Sequence, residues 1–197
     1  MRNTLLFLCS LSFSLSIISC QWQPQPTATE TVEIDSRVPR YTIQQELYDA
    51  ASPEETSVEI SIPELRATLL NGENQVIFET DISTGIDGRE TPTGTFRVLE
   101  RIVDKRSNKY GQYVRKDTRE VIVKKAWEHS GKIPEGCVYQ GIAMPYWMRL
   151  TWYGVGMHVG KFERGKRSSF GCIRVPEAAQ PFIYNKTKLG TKITITR

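Results

Sequence analysis

The sequence contains few of the residues from which disulfide scaffolds, metal sites and membrane spans are built. Its 197 residues include four cysteines and two histidines, too few cysteines for a fold held together by disulfides. No apolar run after residue 20 approaches the roughly 18 residues of a membrane-spanning helix. Internal repeats are lacking, and no spacing of His, Cys and Asp matches a metal site. We therefore expect neither a metal nor a transmembrane helix in this part of the chain.

The remaining composition is that of a mildly basic globular protein. Apolar residues make up 39% of the chain and aromatic residues 10%. This share is sufficient for a hydrophobic core and excludes global disorder. The formal net charge is +4. Because composition is so ordinary, the order of the residues must carry the functional information.

Residues 1–19 have the pattern of an export signal: a basic start, a short apolar stretch and a small residue before Cys20. An ordinary secretory signal cut nearby is the alternative. Residues 17–20, Ile-Ile-Ser-Cys, resemble a bacterial lipobox, whose cysteine becomes the lipid-bearing first residue of the mature chain. We therefore expect lipidation of Cys20 and anchoring at the periplasmic face of a membrane. Gln21 favours the outer membrane over the inner one.

Residues 20–56 have the composition of a tether. They are polar and contain recurrent proline, without a sustained apolar periodicity. A short helix over residues 41–50 is the one element predicted there. Seven acidic and two basic residues give this segment a net charge of −5, whereas residues 57–197 carry +8. We assign residues 57–197 to a single domain.

The pattern of this domain predicts a mainly β fold. Short β-prone segments are separated by turn signals, of which Asn71-Gly72 is the strongest. The predicted strands cover residues 58–62, 66–70, 75–82, 95–103, 120–124, 147–152, 155–159 and 191–196. A short helix is predicted over 176–184, while the rest of the polar and basic segment 104–138 has no clear pattern. This spacing favours a β-sandwich or barrel with one or two short helices.

Four residues remain for nucleophilic catalysis once the signal segment and Cys20 are set aside: Cys137, Cys172, His129 and His158. A nucleophilic cysteine needs an imidazole to take its proton and hold it as thiolate, a third group to orient that base, and backbone amides facing the oxyanion. Composition and spacing do not join Cys172 to His158. From the residues alone, a small buried cysteine and a packed or solvated histidine are the favoured interpretations.

A set of ordered motifs resolves this question by resemblance. Residues 158–160, His-Val-Gly, and residues 168–176, Ser-Ser-Phe-Gly-Cys-Ile-Arg-Val-Pro, resemble the core motif of the L,D-transpeptidase (YkuD-type) catalytic domain. Asp-Ile-Ser-Thr-Gly at 81–85 and Thr-Pro-Thr-Gly-Thr-Phe at 91–96 are similar to the family's paired loop motifs. Further similar segments lie at 144–150 and 190–195. The domain is identified as a member of this family, which implies a β-sandwich-like catalytic fold.

The resemblance also implies roles for individual residues. Cys172 is the expected nucleophile and His158 its general base, with the backbone amides of Gly171 and Cys172 in the oxyanion hole. Ser169 matches the motif serine that supports the site. Arg174 matches an arginine that either braces the site or contacts a substrate carboxylate, and both interpretations stay open. No cofactor is implied.

Several residues depart from the family pattern or lie outside it. Phe170 stands where family members usually carry histidine, which leaves His158 as the only candidate base of the motif. Residues 91–94 are expected to shape the domain rather than touch substrate. Cys137 is expected to be a free structural thiol, with a disulfide to Cys172 as the alternative in an exported protein. His129 is expected to be solvated.

The implied reaction is acyl transfer on peptidoglycan stem peptides. Cys172 attacks the carbonyl of the third, L-configured residue, a terminal D-amino acid leaves, and an acceptor amine resolves the thioester. A neighbouring stem peptide, a protein lysine and a free D-amino acid are the candidate acceptors. The alternatives are an L,D-carboxypeptidase that uses water, a non-catalytic peptidoglycan-binding lipoprotein and a purely structural lipoprotein.

Nine basic residues between positions 101 and 125 form either a face that attracts the carboxylate-bearing wall or an ordinary solvated surface. Nucleic acid is not an expected partner, because export removes it and no base-stacking motif accompanies these charges.

Overall fold

The computed structural model describes residues 40–197, which form three β-sheets and two short α-helices. The strands β1 to β13 are, in order, Tyr41–Ile43, Ser57–Ser61, Arg66–Leu70, Val76–Asp81, Gly94–Arg97, Glu100–Ile102, Arg106–Arg115, Val121–Val123, Cys137–Ala143, Trp147–Arg149, Gly156–Val159, Ile173–Val175 and Lys192–Thr196. Helix α1 covers Gln45–Ala50 and α2 covers Gln180–Asn185, with a 3-10 turn at Ala126–Glu128. The predicted mainly β class is confirmed, and the sheets of this part of the chain do not close into a barrel.

The first sheet has six strands in the order β1-β4-β3-β2-β13-β5. Strand β13 pairs in parallel with β2 and antiparallel with β5. Its side chains alternate, because Ile193 and Ile195 are buried while Lys192 and Thr196 are exposed. A period of two places every second residue on the same face. The apolar residues of this sheet therefore form one wall of the core.

The second sheet, in the order β12-β11-β10-β6, packs its apolar residues into the same core. Met148, Met157 and Ile173 from this sheet and Ile183 from α2 are fully buried there. Strands β11 and β12 are parallel, with His158 opposite Arg174. Residues opposite one another on adjacent strands point to the same face of a sheet, so this pairing places both side chains on one face.

The third sheet has the order β8-β7-β9 and was largely missed by the sequence prediction. Only β8 lies inside a predicted strand. Strand β7 is polar along most of its ten residues and pairs with β9, for example Gln112 with Gln140. Because both faces of this sheet are partly exposed, its strands lack the alternation from which a buried strand is recognised.

Part of the predicted tether belongs to the folded domain. Strand β1 pairs with β4, and the buried Tyr48 on α1 donates a 3.0 Å hydrogen bond to the carbonyl oxygen of Phe182. The fold therefore begins before residue 57, because these contacts attach residues 41–50 to the domain. The predicted signal over 1–19, Cys20 and the rest of the tether up to residue 39 lie outside the described residues. Within 40–197, no helix is long and apolar enough to cross a membrane.

Candidate active site

His158, on β11, is buried against the indole ring of Trp147. The two ring centroids are 5.7 Å apart, and 6% of His158 is exposed. Its Nδ1 lies 2.7 Å from the carbonyl oxygen of Val159. Because a carbonyl oxygen only accepts hydrogen bonds, Nδ1 carries the ring hydrogen and Nε2 presents a lone pair. The Val159 carbonyl is thus the group that orients the base, and no sequence signal marks it because every residue has one.

Burial controls the protonation of His158. Loss of solvent lowers the pKa of the imidazole from 6.5 to about 4, an effect that the hydrogen bond to Val159 opposes and the nearby Arg174 guanidinium reinforces. At neutral pH the ring is therefore uncharged and able to accept a proton.

Cys172 lies in the loop just before β12. Its Sγ is 3.8 Å from the carbonyl oxygen of Gly154, a weak thiol hydrogen bond. Burial raises the pKa of the Cys172 thiol, while the Gly156 amide and Arg174 act in the opposite direction. The resting site therefore holds a neutral thiol and a neutral imidazole. The thiolate expected from the sequence is therefore not the resting form of Cys172.

Ser169 organises the backbone on both sides of the nucleophile. Its buried Oγ donates a 2.5 Å hydrogen bond to the carbonyl oxygen of Cys172 and accepts one of 3.1 Å from the amide of Gly171. Gly171 has φ +110°, a backbone conformation that glycine adopts readily. Its amide, predicted to face the oxyanion, is thus already engaged by Ser169. The oxyanion role of the Cys172 amide stays a prediction.

Arg174 is held in place by Ser83, which follows β4, and by Ser168 in the loop before Cys172. Its backbone exchanges hydrogen bonds with Ser83 (2.8 and 2.9 Å), and its Nη1 lies 3.2 Å from the Oγ of Ser168. The side chain packs against Gly160, where an added Cβ would lie 2.7 Å from the Arg174 Cγ. Among residues 40–197, no carboxylate forms an ion pair with Arg174. Its charge is therefore available in the cavity that Cys172 also lines.

Two cavities meet at Cys172. The His158 cavity, of about 300 Å³, is lined by His158, Ser169, Arg174 and the side chains of the third sheet and its 3-10 turn. The Tyr153 cavity, of about 380 Å³, is lined by Tyr153, Trp147, the acidic Glu90 and the basic residues Arg89, Lys105, Lys109 and Arg149. Cys172, Phe170 and Tyr110 line both cavities. The candidate nucleophile therefore lies where the two cavities adjoin.

An aromatic cluster lies over this junction. The ring of Phe170 is 5.3 Å from that of Tyr110 on β7 and 6.5 Å from that of Trp127 in the 3-10 turn. The guanidinium of Arg89 lies 4.3 Å from the centre of the Phe170 ring. Sequence reasoning missed Tyr110 and Trp127. The one available signal was that three aromatic residues, Tyr110, Tyr113 and Trp127, lie within a largely polar and basic segment.

The other candidates lie away from the two cavities. Cys137 is a buried free thiol on β9, as the favoured interpretation predicted. His129 is exposed, its Nε2 lies 3.2 Å from the carbonyl oxygen of Lys132, and it lines neither cavity. Within residues 40–197, no group of three or more His, Cys, Asp or Glu side chains is placed to hold a metal ion.

The arrangement of Cys172, His158 and the loop residues can be compared with known families. The family model of the YkuD L,D-transpeptidase catalytic domain matches residues 55–195. The chain belongs to the L,D-transpeptidase catalytic domain family. The match covers both motif segments and both residues of the thiol–imidazole pair. A comparison with curated protein sequences finds no significant match.

Solved L,D-transpeptidase structures share this fold. The enzyme from Mycobacterium smegmatis is 19% identical, with a TM-score of 0.54 over 73% of this chain and 59% of that one. The enzyme from Stackebrandtia nassauensis is 15% identical, with a TM-score of 0.53 over 75% and 58%. A mutant L,D-transpeptidase from Enterococcus faecium is 20% identical, with a TM-score of 0.51 over 72% and 50%. The chain thus spans half to three fifths of the length of these structures.

Proposed function

We propose that this chain is a peptidoglycan L,D-transpeptidase in which Cys172 carries the acyl group. The observation that carries the proposal is that Cys172 and His158 line one cavity, with Nδ1 of His158 bound to the Val159 carbonyl so that Nε2 is free to act as base. The substrate is a stem tetrapeptide of the wall. Its third residue supplies the carbonyl that is attacked, and its terminal D-amino acid leaves.

The proposed reaction has two acyl transfers. His158 Nε2 takes the thiol proton as Sγ attacks the carbonyl, and the same proton passes to the departing amine of the D-amino acid. The product is a thioester between Cys172 and the third residue. An acceptor amine then attacks the thioester, giving its proton to His158 and releasing the thiol. One amide replaces another, so no external energy source or cofactor is required.

The second cavity offers a route by which an acceptor reaches the thioester. A thioester formed from the His158 cavity would also border the Tyr153 cavity, because Cys172 lines both. The basic residues there favour a partner that carries carboxylates. A neighbouring stem peptide, which gives a 3→3 cross-link, has this chemistry. A protein lysine and a free D-amino acid are further acceptors, and water would make the protein an L,D-carboxypeptidase.

The same proposal includes the cellular location. Residues 1–20 support export and lipidation of Cys20, and the acidic composition of the following segment keeps it from adhering to anionic lipid. The domain would then work on the wall from the periplasmic face of a membrane, with the outer membrane favoured by Gln21.

Intact-mass measurement of the purified protein with a disaccharide-tetrapeptide tests the chemistry. We expect an adduct equal to the substrate minus its terminal D-amino acid. The adduct should be lost in Cys172→Ala and retained in the matched control Cys137→Ala, which removes the other free thiol among residues 40–197. A product dimer identifies an amine acceptor, and a tripeptide identifies water. If the folded, reduced protein forms no adduct yet still binds the wall, the non-catalytic binding protein is correct instead.

A further inference from the structure

The hairpin turn between β10 and β11 carries two neighbouring aromatic side chains that have no role in the chemistry above. Trp152 is 82% exposed and Tyr153 is 75% exposed, and no other large apolar side chain among residues 40–197 is as exposed. Single exposed apolar residues are common on protein surfaces, but contiguous ones mark interaction sites. The two neighbouring aromatic residues therefore indicate an interaction site.

The backbone beneath the two rings is fixed by hydrogen bonds. The amide of Gly154 donates to the carbonyl oxygen of Thr151 at 3.2 Å, and the amide of Val155 donates to the Oγ1 of Thr151 at 2.9 Å. Gly154 has φ +99°, which closes the turn at a position that favours glycine. Because the turn is already ordered, a ligand that stacks on its rings loses little backbone entropy.

The turn also adjoins the nucleophile. Tyr153 and Gly154 line the Tyr153 cavity together with Cys172, and the Gly154 carbonyl is the acceptor of the weak thiol hydrogen bond. Trp152 precedes Tyr153 in the turn and lines neither cavity. A polymer that enters the Tyr153 cavity with one group can therefore contact the exposed Trp152 ring with the part that stays outside.

We infer that Trp152 and Tyr153 form a stacking platform for the sugar rings of peptidoglycan, beside the cavity that receives a stem peptide. The inference rests on the proposed function and extends it from the peptide to the glycan. Each stem peptide is attached to a sugar, so a peptide placed in the cavity brings its sugar to the rim. The apolar faces of pyranose rings pack on aromatic rings, while the tyrosine hydroxyl offers a polar contact.

A lipid surface is the other partner that exposed aromatic residues can take. The position of the turn favours the glycan, because a membrane seated on Trp152 and Tyr153 would cover the mouth of the cavity that leads to Cys172. This difference makes vesicle binding a useful arm of the test.

The test compares acylation of Cys172 by disaccharide-tetrapeptide with acylation by the free tetrapeptide. In Trp152→Ala, the ratio of the two kcat/KM values should fall about tenfold, equivalent to ~1.4 kcal/mol. Trp152→Phe, which keeps an aromatic face, should retain most of the preference. Leu189→Ala is the matched control, because Leu189 is 61% exposed and lines neither cavity. An unchanged ratio in Trp152→Ala would overturn the inference.

A second measurement separates this inference from the proposed function. The peptide-free disaccharide should quench the tryptophan fluorescence of the Cys172→Ala protein, and Trp152→Ala should abolish that quenching. Quenching without any turnover in the unmodified protein would support the platform while refuting the transpeptidase. Vesicles of anionic phospholipid should not bind the protein through Trp152. Vesicle binding lost in Trp152→Ala, with no change in sugar preference, would assign the turn to a membrane.

Discussion

Thr91 Oγ1 donates a 2.9 Å hydrogen bond to the carbonyl oxygen of Gly171, the residue that precedes the nucleophile. The same Oγ1 accepts a 2.9 Å hydrogen bond from the amide of Gly85, and Thr91 is buried. One hydroxyl thus joins the loop that contains Gly85 and Thr91 to the backbone beside Cys172, 80 residues further along the chain. This contact agrees with the expectation that residues 91–94 shape the domain.

Replacing Thr91 by valine keeps its shape and removes both hydrogen bonds. The buried Gly85 amide and Gly171 carbonyl then lose their partner, and we expect the free energy of unfolding to fall by about 1–3 kcal/mol. Acylation should slow as well, because the loop that carries Cys172 loses a support. Chemical denaturation and acylation rates measure the two effects. Thr93→Val, at an exposed position of the same motif, is the control, and an equal loss in both variants would refute the role of the buried hydroxyl.

The neutral state of His158 should make stability depend on pH. Its pKa is about 4 in the folded protein against an ordinary value of 6.5, so between these values the unfolded chain binds the extra proton. The free energy of unfolding should therefore fall with decreasing pH through this window, by about 3 kcal/mol in total. Denaturation at a series of pH values checks this. The unfolding free energy of His158→Gln should lack this pH-dependent contribution. If the variant shows the same pH dependence as the unmodified protein, His158 is not its source.

The resting Cys172 thiol should be protonated at neutral pH. Because burial raises its pKa, its rate of alkylation by iodoacetamide should be slow near pH 7 and should still rise above about pH 8.5, the usual pKa of a thiol. The rate is best followed by mass spectrometry of the Cys137→Ala variant, in which Cys172 is the one thiol among residues 40–197. A plateau in the rate between pH 5 and 8 would instead indicate a preformed thiolate–imidazolium pair.

Removing the ring of Phe170 should loosen the aromatic cluster over the two cavities. Phe170→Ala loses contacts with Tyr110 and Trp127, worth about 1–2 kcal/mol together. We expect KM to rise roughly 5–30-fold, with a smaller change in kcat. Tyr110→Ala removes one of the same contacts, so the double variant should lose less than the two single variants together. Fully additive losses would show that the rings act independently.

Adding a methyl group at Gly160 should displace Arg174 without removing its charge. The new Cβ would lie 2.7 Å from Cγ and 2.9 Å from Cδ of the arginine. If the guanidinium binds a substrate carboxylate, Gly160→Ala and Arg174→Ala should both raise KM. For Arg174→Ala the rise should be roughly tenfold or more, since a charge-assisted hydrogen bond contributes about 1.5–3 kcal/mol. In Arg174→Lys, which keeps the charge, the rise in KM should be smaller than in Arg174→Ala. An unchanged KM in all three variants would leave Arg174 with a bracing role only.

The predicted strands succeeded where one face of a strand is buried. Strands β2, β3 and β13 show the apolar alternation that the core imposes. The prediction failed for β7 and β9, whose pairing joins polar segments that are not recognisable one at a time. It also assigned residues 41–50 to the tether, because the burial of Tyr48 depends on contacts with α2, more than 130 residues further along the chain.

The sequence likewise predicted only part of the candidate site. The motif around Cys172 and the histidine at 158 are local patterns, so the resemblance selects them as candidates, and their catalytic roles stay predictions. The engagement of the Gly171 amide by Ser169 and the orientation of His158 by a backbone carbonyl carry no sequence signature. Tyr110 and Trp127 reach the site only through the fold of the third sheet.

The sequence by itself determined the family and the mainly β class, and it selected Cys172 and His158 as the candidate thiol–imidazole pair, because motifs and alternation are local properties of the chain. The tertiary structure alone decided the protonation of that pair, since the pKa of His158 depends on how completely the surrounding residues exclude water. It also decided that Cys172 lies where two cavities adjoin and that an aromatic turn stands beside one of them. Both depend on contacts between segments distant in the chain, and no local pattern of residues encodes such contacts.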